Sequence, residues 1–109
     1  MTELAKTPEP PYYAVIFTSL RTRGDNGYGV MAEEMVELAK AQPGFLGVEG
    51  ARESNGFGIT VSYWASEEAI RQWREDARHR IAQKLERETW YERFTTRVSK
   101  VERAYAFER

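Results

Sequence analysis

The sequence predicts an α+β domain with element order βαββαβ, an antiparallel sheet that carries both helices on one face. Three observations carry this expectation. Tyr12–Leu20 (YYAVIFTSL) and Phe57–Trp64 (FGITVSYW) are rich in β-branched and aromatic residues, as strands are. The stretches beginning at Tyr28 and at Ser66 repeat apolar side chains at helical spacing. Asn55-Gly56, between Phe45–Arg52 and Phe57–Trp64, suits the positive φ angles of a tight hairpin. A chain of 109 residues reads as one domain, here residues 12–109 after a lead-in of residues 1–11.

Composition narrows the function classes. Sixteen basic and seventeen acidic residues leave a net charge of −1, so no field of either sign favours nucleic acid or an anionic membrane surface. The chain has no cysteine, which excludes thiolate nucleophiles, thiolate metal sites and disulfides. A single histidine argues against a dedicated metal site. No apolar run approaches the roughly 20 residues of a membrane helix, and MTELAKTPEPPYY lacks the apolar core of a signal peptide, so a cytoplasmic location is expected.

Each element follows from its residues. Pro8, Pro10 and Pro11 force an extended, mobile lead-in. Tyr12–Leu20 carries apolar groups on both alternating faces and so reads as a strand covered on both sides. Arg21–Gly27 (RTRGDNG) has turn composition, and its basic residues could meet an anion, with a plain solvated loop as the alternative. Tyr28–Gln42 is a helix with Met31, Met35, Leu38 and Ala39 on one stripe, and Pro43-Gly44 stops it. Gly47 and Gly50 interrupt the strand Phe45–Arg52, as bulges or close backbone approaches do.

In Phe57–Trp64, one face is Phe57, Ile59, Val61 and Tyr63; the other is Gly58, Thr60, Ser62 and Trp64. Ser66 is a good N-cap for the next helix, whose stripe is Ile70, Trp73, Ala77, Ile81 and Leu85. The remainder, Tyr91–Phe107, ends in a strand with Val101, Tyr105 and Phe107 on one face, while Tyr91–Val98 fits either helix or strand. The order is the ferredoxin-like pattern. Because helices cover one face only, the other apolar face predicts a second copy of the chain as partner, a homodimer.

The candidate site residues cluster around the second helix. Ser62 with Thr60 offers hydroxyls on a face next to apolar strands, which a pure hydrocarbon filling would leave without partners. Trp64 and Trp73 flank the strand-to-helix turn and offer flat walls for an aromatic ligand, with plain core packing as the alternative. Tyr63 and Trp90 are further substrate-binding candidates, and Trp90-Tyr91 could equally seal a dimer contact. His79 is the one imidazole, a candidate acid or base. At about 100° per residue it falls away from the Ile70–Trp73–Ala77–Ile81 stripe, so it reaches a pocket only if the helix breaks near Asp76–His79 and otherwise meets solvent or the partner.

PGFLGVEGAR at 43–52, SYWASEEAIRQW at 62–73, His79 with Ala82-Gln83, Trp90-Tyr91 and VERAY at 101–105 resemble the antibiotic biosynthesis monooxygenases, a branch of the dimeric α/β barrel superfamily that includes haem-degrading enzymes. The resemblance implies two sheets paired into a barrel and a ligand bound between helix and sheet. It implies a monooxygenase that uses no flavin or metal on an aromatic or polycyclic small molecule, with His79 and Trp73 as catalytic residues. The alternative it leaves open is a non-catalytic dimeric module that binds a small molecule or haem, for instance in a stress response. The haem-degrading pattern has an asparagine on the first strand; YYAVIFTSL has none, so haem cleavage is not expected.

Overall fold

The computed structural model describes residues 4–25, 27–84 and 90–109, with the side chains of 79–84 outside the description. The elements are β1 (Tyr12–Arg21), α1 (Tyr28–Lys40), β2 (Phe45–Arg52), β3 (Phe57–Trp64), α2 (Glu67–Lys84) and β4 (Tyr91–Val101). The strands form one antiparallel sheet in the order β2-β3-β1-β4. This is the expected ferredoxin-like α+β arrangement. Local chemistry fixes the element ends. Both Asp25 carboxylate oxygens accept backbone N–H groups at the start of α1, from Gly27 and Gly29. Ser66 Oγ accepts the Ala69 N–H at 3.1 Å and so caps α2.

Opposed residues in an antiparallel pair share a face, so the register sorts the sheet. Tyr13, Val15, Phe17 and Ser19 of β1 lie level with Trp64, Ser62, Thr60 and Gly58 of β3 on the face that the helices cover. Val15, Trp64, Ala39 of α1 and Ile70 of α2 form the core there, with Tyr13, Phe45, Ala69 and Trp73 packed around them. The opposite face presents Ala14, Ile16, Thr18 and Leu20 level with Tyr63, Val61, Ile59 and Phe57. Phe57 and Ile59 remain 42% and 40% exposed.

Three expectations change on contact with the structure. The final strand stops at Val101 instead of reaching Phe107, because Val101 pairs with Tyr12, where β1 begins. Pro10 and Pro11 precede that point, and proline has no N–H to continue the ladder. Tyr105 and Phe107 therefore stand exposed rather than sharing a sheet face with Val101. The lead-in is extended but is not free. Thr7 Oγ1 and the Tyr12 hydroxyl are hydrogen-bonded at 2.9 Å, and Ala5 packs over the bare Cα of Gly47. This contact, with the Tyr12–Tyr63 edge-to-face pair, helps cover the end of the otherwise open face. Finally, α2 is continuous through Asp76–His79. It contains no glycine or proline, and Gln42 Nε2 donates to Asp76 Oδ2 at 2.9 Å, tying that turn to the end of α1.

Candidate functional site

The helix-covered face of the sheet reads as four cross-strand rows. The first is Phe45, Trp64, Tyr13, Lys100; the next Val48, Ser62, Val15, Val98; then Gly50, Thr60, Phe17, Thr96; and last Arg52, Gly58, Ser19, Phe94. Six residues along β3 separate the first row from the last, roughly 20 Å at about 3.3 Å per residue. The two ends differ in chemistry.

At the first end, Trp64 is fully buried and stacks on Trp73, with ring centroids 5.0 Å apart and planes at 27°. Phe45 meets Trp64 edge-on at 5.5 Å. The Trp64 indole N–H donates to Ser62 Oγ at 2.9 Å, which satisfies both groups internally. Trp73 Nε1 is buried and has no acceptor, alone in this among the side-chain polar atoms of the described residues. An unmet buried donor costs about 1–3 kcal/mol. The structure thus brings Ser62, Trp64 and Trp73 together. Tyr63 is not part of this group, because it points to the opposite face of β3. There Tyr63 pairs with Tyr12, and burial, then hydrogen bonding to and the charge of Glu49, push its phenol up to about 12.

Trp90 is buried at the other end. Its carbonyl accepts the Thr22 N–H at 3.0 Å and Arg21 Nε at 2.9 Å. The side chain of His79 lies outside the described residues. Its position is six residues beyond Trp73 on an unbroken helix, which sets it on a different side of α2. Among the described residues no three carboxylate or imidazole side chains converge as a metal would require.

A family model described as antibiotic biosynthesis monooxygenase matches residues 11–85. The chain belongs to the antibiotic biosynthesis monooxygenase family. It is 56% identical over 105 residues to the uncharacterized protein YqjZ of Bacillus subtilis (strain 168), covering 96% of this chain and 92% of that protein. Among solved structures, protein SO0527 from Shewanella oneidensis matches with a TM-score of 0.69 at 13% identity, over 93% of this chain and all (100%) of that one. SnoaB, a cofactor-independent oxygenase from Streptomyces nogalater, matches with a TM-score of 0.64 at 11% identity, over 92% of this chain and 100% of that one. At such identities the structural likeness speaks for the fold.

Within this family member, the sequence offered the basic residues of Arg21–Gly27 to an anion but did not bring Arg21 together with Arg52 at the last row. Phe17, Tyr28, Tyr91 and Phe94 form a chain of ring contacts with centroids 5.3–5.7 Å apart. Arg21 lies 3.5 Å from the centroid of the Tyr28 ring, and Arg52 lies 5.9 Å from it. The available signal was the pairing of arginines at the end of one strand and the end of the next. It was hidden because Arg21 opens a segment of ordinary turn composition.

Proposed function

We propose that the protein is a monooxygenase of its family's type that acts on a small aromatic or polycyclic molecule without flavin or metal. The observation that carries this is the buried, acceptorless indole N–H of Trp73, stacked against Trp64 in the layer between α2 and the sheet. A phenolic or quinone oxygen placed there would accept that N–H, and the stacked indoles would hold the ring flat. The substrate, as its phenolate, supplies the electrons to dioxygen; one oxygen atom enters the substrate and the other leaves as water. The protein's part is orientation and support of oxyanion charge by a donor fixed in advance. Haem has no part in this reading. Oxygen uptake with a panel of phenols and anthrone-like compounds tests it. Uptake that saturates with one class and drops in Trp73→Phe supports it, and uptake at the uncatalysed rate throughout refutes it.

One observation favours a second reading, binding without turnover. The two carboxylates that follow Trp73 on α2 are both engaged, Glu75 with Arg78 and Asp76 with Gln42, which leaves the tryptophan pair without an adjacent free base among the described residues. Saturable ligand binding with no oxygen uptake would select it.

The reading includes a homodimer joined through the open sheet face. Phe57, Ile59, Val61 and Ile16 form its apolar centre. Glu49 on β2 and Arg97 on β4 occupy the two edges of the same cross-strand row. A two-fold axis parallel to the strands would lay Arg97 of one copy over Glu49 of the other, so charge complementarity favours that packing.

A further inference from the structure

We propose that Arg21 and Arg52 form a second binding site, a two-guanidinium fork that takes the carboxylate of a small aromatic acid against the Phe17–Tyr91–Phe94 rings. The site stands roughly 20 Å along the sheet from Trp73, so it does not depend on the oxygenase reading.

The first support is uncompensated charge. Arg21 donates through Nε to the Trp90 carbonyl and through Nη2 to the Gly24 carbonyl at 3.0 Å. Arg52 donates through Nη1 to the Gly56 carbonyl and through Nη2 to Ser19 Oγ at 2.7 Å. All four acceptors are neutral. Among the described residues neither Arg21 nor Arg52 forms an ion pair with a carboxylate. Two half-buried like charges over one tyrosine ring repel each other. Each retains donors beyond those it uses, in the planar geometry that matches a carboxylate.

The second support is a β-bulge. In β4 the register shifts so that Leu20 opposes Arg93 but Arg21 opposes Tyr91. An unshifted ladder would set Glu92 level with Arg21, where its carboxylate would neutralise the guanidinium. The bulge removes Glu92 from that row and substitutes a phenol. Bulges re-aim side chains in this way beside functional sites. Burial first, then hydrogen bonding to Tyr28, holds the Tyr91 hydroxyl in its neutral, donating form far above the usual phenol range, despite the arginines.

The third support is the berth of Arg52. A Cβ on Gly58 would lie 2.7 Å from the Arg52 Cζ. The guanidinium therefore lies flat on bare backbone, and any other residue at position 58 would displace it. Phe94 lies in the same cross-strand row as Arg52 and Ser19 and is 37% exposed.

The test is calorimetric titration of the intact protein with 2-naphthoate and with its neutral isostere 2-naphthamide. The acid should bind at least about tenfold tighter, since the fork recognises charge and shape together. Arg21→Gln, Arg52→Gln and Gly58→Ala should each weaken the acid about tenfold and leave the amide unchanged, while Arg71→Gln on the outside of α2 changes neither. The three atoms nearest a Cβ at Gly58 all belong to the Arg52 guanidinium, the far end of a flexible side chain, so Gly58→Ala keeps the fold and displaces the cation. Equal affinity for acid and amide in the unmodified protein overturns the proposal without any variant. So does competition by inorganic phosphate equal to that of naphthoate, which would show a cationic patch with no aromatic selectivity. Loss of naphthoate binding in Trp73→Phe would place the acid at the tryptophans and overturn it as well.

Discussion

The indole N–H of Trp64 reaches the hydroxyl of Ser62, 2.9 Å away and two residues earlier on the same strand. Two polar groups that a core would otherwise have to accommodate separately cancel each other on one face of β3. Ser62→Ala removes the acceptor and leaves a second buried indole donor beside that of Trp73. The expected loss is about 1–3 kcal/mol of unfolding free energy. Urea denaturation of the variant measures it.

Gly44 has φ +86, and a Cβ there would lie 2.7 Å from the Cβ of Ala69 in the first turn of α2. Gly44→Ala meets both a left-handed backbone and a rigid neighbour. The cost should exceed about 2 kcal/mol, from roughly 1–2 for the backbone and 1–3 for overpacking. A fall in the thermal midpoint of 8 °C or more is expected, at about 4–8 °C per kcal/mol for a domain of this size.

Tyr63 yields a pH dependence with a definite sign. Its phenol titrates near 10.0 when unfolded and near 12 when folded, through burial first and then Glu49. Below pH 10 both states hold the proton and stability is level. Between pH 10 and 12 the unfolded state releases it and the folded state does not, so stability falls as pH rises through that window. Tyr63→Phe should flatten this part of the curve, and Glu49→Gln should shift the Tyr63 step in a 295 nm titration to lower pH.

Ile59→Glu puts a charge into the centre of the open face. Sedimentation equilibrium at micromolar concentration is expected to show a dimer for the unmodified chain and a monomer for this variant. Glu49→Arg should weaken the dimer, and Glu49→Arg with Arg97→Glu should restore it. A dimer unaffected by Glu49→Arg would mean the sheets pair in another orientation.

His79→Ala tests the role the sequence suggested. With α2 continuous past Asp76, the variant should fold with unchanged stability and keep oxygen uptake within a few-fold of the unmodified protein. Loss of uptake at retained fold would restore the imidazole to the chemistry.

Strand and helix identity was legible where period and composition agreed, but not at Tyr91–Val98, where helical and strand spacing both fitted and the structure has β4. Asn55-Gly56 marked the hairpin, and β3's alternation sorted Trp64 and Ser62 from Tyr63 and Val61 onto the faces they occupy. The Trp64–Trp73 contact was legible as a pair flanking one turn. The partner of Ser62 was not, because a hydroxyl at a core-facing position suggests a ligand as readily as a neighbouring indole. The end of β4 was misjudged because β propensity continues to Phe107, whereas the ladder depends on where β1 begins. The meeting of Arg21, Arg52, Tyr28 and Tyr91 rests on a one-residue register shift, and no local pattern announces a bulge of that kind.

Three of the four acceptors that hold Arg21 and Arg52 are main-chain carbonyls, at Gly24, Gly56 and Trp90. Their positions follow the path of the chain and are indifferent to the side chains attached there. Alanine scanning at Trp90 would therefore leave that carbonyl in place and understate its importance. The same indifference makes the cationic fork a fixed mount on which the surrounding rings can be exchanged. Replacing Phe17 or Phe94 would change which aromatic skeleton fits while the charged anchor stays where the backbone puts it, so a change of ligand at this end of the sheet needs only one or two substitutions.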